Sequence, residues 1–293
     1  QHILRLVFGS IEPAVMDSAL EYFLSTALAY PFMAIYNAGA ALFRAMGNSK
    51  VSMFNSLIVN IVNIVVNAIL IYGFDMGALG AGIGTLTSRI VAAVFIIYLL
   101  QRPTNPLRVE GLLHFALKGS VVRRILTIGI PNGLENGLFQ VGKLLVLSLI
   151  TTFGTNAVAA NAISNSIAGV INVPGQAIGL AMITVVGQSM GAGQVDQAVA
   201  YTKKLMKMTY LSMGTMCIIL FLSAEPLVSL FNLSAAATEM SVEVLRYCAV
   251  FVMLFWPLSF TLPNALRASG DVVFTMTVSL LSMFICRIGM SYV

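Results

Sequence analysis

Apolar residues run through this chain in long blocks with brief polar breaks. Eight blocks stand out, at 22–43, 53–73, 78–100, 132–153, 164–186, 205–224, 247–264 and 272–293. A helix needs about 20 apolar residues to cross the hydrocarbon core of a bilayer, and each block comes near or above that length. The pattern predicts an all-α polytopic membrane protein with about eight transmembrane helices. Composition agrees: 58% of the 293 residues are hydrophobic, 9% are charged, and mean hydropathy is +0.92. A soluble domain carries charge on about a quarter of its residues, so that class is excluded. Cys217, Cys248 and Cys286 all fall inside blocks, which argues against a disulfide framework.

Basic residues give the blocks an orientation. Arg44, Lys50, Arg102, Arg108, Lys118, Arg123, Arg124, Lys203, Lys204, Lys207 and Arg267 are eleven of the sixteen Lys and Arg, and all follow odd-numbered blocks. The alternate breaks, 74–77, 154–163 and 225–245, contain none. The positive-inside rule makes the basic side cytoplasmic and explains the pI near 9.2 without nucleic acid.

A short phrase occurs twice, 223 residues apart: Arg44-Ala45-Met46-Gly47-Asn48 and Arg267-Ala268-Ser269-Gly270-Asp271. Each copy closes an apolar block and has similar landmarks upstream, Met16, Tyr22 and Tyr30-Pro31 against Met240, Tyr247 and Trp256-Pro257. Both point to the cytoplasm, as in a parallel repeat about an axis along the membrane normal. Duplicated membrane units are the build of secondary transporters, which bind substrate between repeats. Applied to Pro131, the offset places a counterpart about 92 residues before Gln1. Applied to 78–100, it expects a further span near 301–323. The expected parent has twelve spans in two lobes, with this chain holding spans four to eleven. Residues 1–100 then belong to the first lobe and 131–293 to the second, with 101–130 as a cytoplasmic linker. Within the linker, Leu112–Ile130 reads as a basic amphipathic helix on the membrane surface.

Polar residues inside spans are costly and point to function. On block 132–153, Asn132, Glu135, Asn136, Gln140 and Lys143 fall within about 140° of arc at 100° per residue. Burial in hydrocarbon favours the neutral form of a carboxyl, which makes Glu135 a candidate proton carrier. Lys143, two turns further on, is a candidate to neutralise it or a neighbouring backbone carbonyl. Asn161, Asn165, Asn172 and Gln176 fall within about 60°, where Pro174 and Gly175 are expected to kink the helix. A third group, Asn60, Asn63 and Asn67, shares one sector of block 53–73, and amide oxygens there suit a hard cation once a carboxylate completes the shell. The 223-residue offset maps this group to Met283, Cys286 and Met290, so it is not duplicated. The sixteen Met and seventeen Phe also suit an adaptable apolar cavity. His2 and His114 lie outside the blocks, and no catalytic or metal-ligating constellation accompanies them.

These elements resemble the multidrug and toxic compound extrusion (MATE) family over essentially the whole chain. The ordered series is Arg44-Ala45-Met46-Gly47-Asn48-Ser49-Lys50, Asn63-x-x-x-Asn67 and Gly80-Ala81-Gly82-Ile83-Gly84-Thr85. It continues through Ile128-Gly129-Ile130-Pro131, Phe153-Gly154-Thr155 with Ala159-Ala160-Asn161, Gly187-Gln188-x-x-Gly191 and Ala265-Leu266-Arg267. The resemblance implies a two-lobed bundle of twelve helices around a central cavity. It also implies export of amphiphilic, often cationic, compounds in exchange for Na⁺ or H⁺. Carried over, the first-lobe cation site becomes Asn63, Asn67 and Thr85, with Asn60 nearby. The Asp that completes this site in the family falls on a helix outside this chain. Some members place a second-lobe Glu where this chain has Phe139, and an Asp near Trp256, so that second site is altered here. The expected function is a cation-coupled antiporter of the inner or plasma membrane, not an enzyme. Its substrate would be contacted by Glu135, Asn136, Gln140, Lys143, Asn165, Asn172 and Gln176. The expected partners are the lipid bilayer and small amphiphilic substrates, without nucleic acid, in a monomer that needs no cofactor beyond the coupling ion. The rivals are a lipid-linked oligosaccharide flippase of the same superfamily, which needs a strongly cationic cavity, and an intramembrane enzyme.

Overall fold

A computed structural model describes residues 13–103, 105, 118–231 and 233–289. The chain divides into two compact units, Gln1–Ala116 and Leu117–Val293. Among the described residues there are helices and no strands. A membrane-spanning chain has that solution available because a helix satisfies every backbone N–H and C=O within the segment.

The first unit holds α1 (Pro13–Ala45), α2 (Ser49–Ala68, continued by a π-helical turn Ile69–Gly73) and α3 (Gly77–Leu100). The second holds α4 (Gly119–Thr151), α5 (Thr155–Ile171), α6 (Val173–Gly191), α7 (Val195–Ser229) and α8 (Ala235–Trp256). After α8 a π-helical turn, Pro257–Thr261, leads into α9 (Leu262–Ala268). α10 (Val272–Ser282) and a last π-helical turn (Met283–Ile288) follow. Among the described residues, six helical segments are long and apolar enough to cross a membrane, α5 with α6 would make a seventh across a 46° bend, and Val272–Ile285 is apolar but shorter.

Two differences from the expected spans have plain causes. α5 begins at Thr155 and α7 runs to Ser229, so parts of the breaks 154–163 and 225–245 are helix. Asn156, Asn161 and Glu225 made those stretches look polar, yet an exposed helix end tolerates polar residues. The bend near Pro174 falls at Asn172, and Pro174 sits in the first turn of α6, where its missing N–H leaves no bond unmade. Residues 119–130 are the opening turns of α4, continuous with the span, while 112–117 of the expected amphipathic helix lie outside the described residues.

Exposed Leu28, Ile64, Val94, Leu211 and Leu222 are suited to lipid. Small residues stand at some of the buried helix crossings, where they let helices approach closely without a hydrophobic force to join them. α3 is the clearest case: Ala92, Ala93 and Ser88 are buried, and Gly82 meets Ser25 of α1 while Gly84 meets Asn67 of α2. Phe43, Ile96 and Leu100 form the apolar cluster of the first unit. The second unit packs Ile171, Leu220, Val228 and Leu245 in one cluster and Met182, Val186, Met206 and Ala265 in another.

The repeated phrase is a turn. Gly47 N–H donates to Arg44 O and Asn48 N–H to Phe43 O, and the same pair of bonds recurs at Gly270 and Asp271 onto Arg267 and Leu266. Gly47 and Gly270 have φ of 78° and 98°, the left-handed backbone that closes a Schellman cap and that glycine adopts without penalty. The glycine of the phrase is thereby explained in both copies.

Candidate functional site

In the first unit, the row of α2 that faces α3 follows i, i+4 spacing: Asn55, Val59, Asn63 and Asn67. Asn55 is fully buried and donates to Ala92 O at 3.2 Å. Asn63 donates to Ser88 Oγ at 3.4 Å, and Asn67 donates to Asn63 Oδ1 at 3.2 Å. Ser88 in turn donates to Thr85 O at 2.8 Å, and the Thr85 hydroxyl donates to Ala81 O at 2.9 Å. Asn55 Oδ1 is buried without a partner at one end of the row, and so is Asn67 Oδ1 at the other: it receives no hydrogen bond. Such an orphan costs about 1–3 kcal/mol unless something else satisfies it. It is also pressed against α3, since a β-carbon on Gly84 would collide with this oxygen. Asn67 Oδ1 and the lone pairs of Thr85 Oγ1 are neutral oxygen donors of the kind that a hard cation accepts.

Asn60 does not join them. It is exposed, because the buried row of a crossed helix pair is an i, i+4 ridge and Asn60 lies off it. Asn55 and Ser88, absent from the sequence-derived set, complete the ladder instead. The i, i+4 spacing of 55, 59, 63 and 67 was the available signal.

In the second unit, the polar stripe of α4 resolves into two i, i+4 rows. Asn132, Asn136 and Gln140 are exposed, and Asn136 bonds back to Asn132, to O at 2.8 Å and to Oδ1 at 3.4 Å. The other row, Glu135, Phe139 and Lys143, turns toward α9. Glu135 accepts from Arg267 at 2.6 Å, with the two side chains 12% and 24% exposed. Arg267 also donates to Asn264 at 3.2 Å, while Glu135 Oε2 and Arg267 Nε are buried without partners. Lys143 is therefore not the counter-ion of Glu135. The arginine of the repeated phrase is, and a proton-carrier role for Glu135 requires this pair to open.

Beyond the ion pair lies a line of rings. Phe139 meets Phe260 edge to face at 5.8 Å, and Phe260 stacks on Trp256 at 5.1 Å with 26° between planes. The π-helical turn at Pro257–Thr261 adds a residue to the helical repeat between those two aromatics, a local device common at functional sites. Trp256 is seated against Gly175 of α6, where any β-carbon would collide with the indole. Thr261 donates to Gly175 O at 3.4 Å and fixes the same crossing. Lys143 Nζ lies 5.3 Å from the centre of the Phe139 ring.

The amides of α5 and α6 are divided by the 46° bend. Asn165 donates to Asn161 at 3.0 Å on α5, Gln176 is exposed on α6, and Asn172 sits at the bend with its Oδ1 buried and unpartnered. Away from all these residues, a groove of about 810 Å³ between α7 and α8 is lined by Phe221, Glu225, Glu239, Glu243, Arg246 and Tyr247. Glu225 and Arg246 pair there at 2.8 Å, both well exposed.

Comparison with known proteins agrees with the fold. The MatE family model matches residues 1–69 and 131–293. The chain is 27% identical over 99% of its length to "Probable multidrug resistance protein NorM" of Thermotoga maritima, and 24% identical over 99% to "Probable multidrug resistance protein YoeA" of Bacillus subtilis. It spans 63% and 64% of those two proteins. Its fold matches a MOP superfamily transporter from Pyrococcus furiosus with a TM-score of 0.90 at 22% identity, over 99% of this chain and 65% of the other. The chain belongs to the MatE family of multi-span membrane transporters.

Proposed function

We propose that the protein is a cation-coupled antiporter that exports amphiphilic compounds across the inner or plasma membrane. The observation that carries this reading is the buried, unpartnered Asn67 Oδ1 at the end of the α2–α3 amide ladder. Within a transporter family, an oxygen donor held at span depth with no hydrogen to accept supports a role in holding the coupling ion. Thr85 Oγ1 is a second donor on the facing helix, and a carboxylate would complete the shell for Na⁺, or carry the proton if H⁺ is used. The names of the relatives, multidrug resistance proteins, support amphiphilic compounds as the exported class.

The second lobe supplies the surface for the compound. Asn132, Asn136 and Gln140 form an exposed amide row on α4, and a polar row at span depth faces a water-filled cavity in preference to lipid. A pyrophosphate-carrying flippase is disfavoured, because the pairing of Arg267 with Glu135 removes one of the few cations such a cavity would need.

The test is efflux of a panel of dyes, ethidium among them, from proteoliposomes holding the whole protein under imposed Na⁺ or pH gradients. Efflux driven by one of the two gradients is expected. If no dye leaves under either, the export reading fails.

A further inference from the structure

We propose that the second lobe binds its amphiphile by an anionic head group at Lys143, with the aromatic part of the ligand on the Phe139–Phe260–Trp256 line. This rests on the export reading above and names the charge class of the compound.

Charge balance carries the inference. Glu135, the carboxylate of the α4 row, is already neutralised by Arg267 at 2.6 Å. Lys143 stands on the same i, i+4 row, two turns further along, and among the described residues no carboxylate pairs with it. The face therefore carries one uncompensated positive charge. Its company is the Phe139 ring at 5.3 Å. A cation–π contact offsets only part of what withdrawing an ammonium from water costs. The ammonium is therefore left with a strong demand for an anion whenever a ligand displaces its water.

Geometry supplies the rest of the site. Lys143 is exposed, and Asn136 and Gln140 on the adjoining row offer amide donors to the same head group. Phe260 is 43% exposed, so the ring line is partly open to contact with an aromatic ligand. Gly175 holds the far end of the line by admitting the indole of Trp256. A cationic amphiphile would find the same rings but meet like charge at Lys143, so the site discriminates by repulsion as well as attraction. A single ammonium suits a carboxylate or sulfonate monoanion.

The experiment uses two probes that share a fluorophore and differ in charge, dansylglycine (carboxylate) and dansylcadaverine (ammonium). Binding to the purified whole protein is read by energy transfer from tryptophan, with Trp256→Phe assigning the signal to Trp256. Wild type is expected to bind dansylglycine about tenfold more tightly than dansylcadaverine. Lys143→Arg should keep that ratio, Lys143→Gln should bring it near one, and Lys143→Glu should reverse it. Equal or tighter binding of dansylcadaverine by wild type would overturn the proposal, as would an unchanged ratio in Lys143→Glu. If the ratio behaves as expected but neither probe moves under a Na⁺ or pH gradient, the site stands and the export reading falls. If both probes move with no charge preference, the export reading stands and this site falls.

Discussion

Both units set polar side chains along an i, i+4 row of one helix, yet the rows differ in kind. On α2 the row is neutral: Asn55 and Asn63 donate to α3, Asn67 donates to Asn63, and the amide oxygens of Asn55 and Asn67 have nothing to accept. On α4 the row is charged and aromatic: Glu135 pairs with Arg267, Phe139 packs on Phe260, and Lys143 has only a ring. A neutral oxygen set suits a small hard cation that must enter and leave. A locked ion pair beside an open aromatic line suits holding two helices together while a larger apolar molecule binds. Under the proposed function, the two units divide ion work from substrate work.

The two copies of the repeated phrase show the same separation on a smaller scale. Their turn hydrogen bonds match bond for bond, and both glycines take positive φ. Among the described residues, the second arginine reaches a carboxylate and the first does not. The backbone has kept what folding needs, and the side chain has diverged.

The contrast can be attacked in order of expected effect. Gly175→Val drives side-chain atoms into Trp256 and Met213. Overpacking of this kind costs about 1–3 kcal/mol or more, and it should show as a lowered thermal midpoint in detergent with loss of dansyl binding. Next, Glu135→Gln or Arg267→Gln alone leaves a partly buried charge unpaired. The cost should fall between the ~1 kcal/mol of an exposed pair and the ~3–5 kcal/mol of a buried one. The double variant should recover most of it in a double-mutant cycle, and independent, additive losses would show that the pair does not act as a unit. Asn55→Ala should cost about 0.6–1.7 kcal/mol, the range of interhelical hydrogen bonds in membranes, without changing the ion dependence of transport. Asn60→Ala, at an exposed position off the row, should change neither.

Much of this was legible in the sequence. The apolar blocks gave an all-helical membrane protein, and the ordered motifs from Arg44-Ala45-Met46-Gly47 to Ala265-Leu266-Arg267 gave the family. Angular grouping was less sharp, because a sector of 140° spans two neighbouring ridges. It joined the exposed Asn132, Asn136 and Gln140 to the packed Glu135, and Asn60 to Asn67. Only the crossing of a second helix decides which ridge is buried. The partner of Glu135 was hidden for another reason. Arg267 is 132 residues away in sequence and was accounted for by topology, whereas Lys143 was two turns away on the same helix. A contact between helices leaves no periodic trace in either one.

The central claim is that the first lobe holds the coupling ion through Asn67, and transport by Asn67→Ala tests it most directly. Dye efflux from proteoliposomes, followed across a series of imposed Na⁺ and pH gradients, is compared between wild type, Asn67→Ala and Lys143→Gln, each first checked for an unchanged thermal midpoint. The account predicts that Asn67→Ala loses its response to the driving gradient, by about tenfold or more in half-saturating ion concentration, while Lys143→Gln keeps that response. An Asn67→Ala protein whose efflux tracks the gradient as wild type does would contradict it.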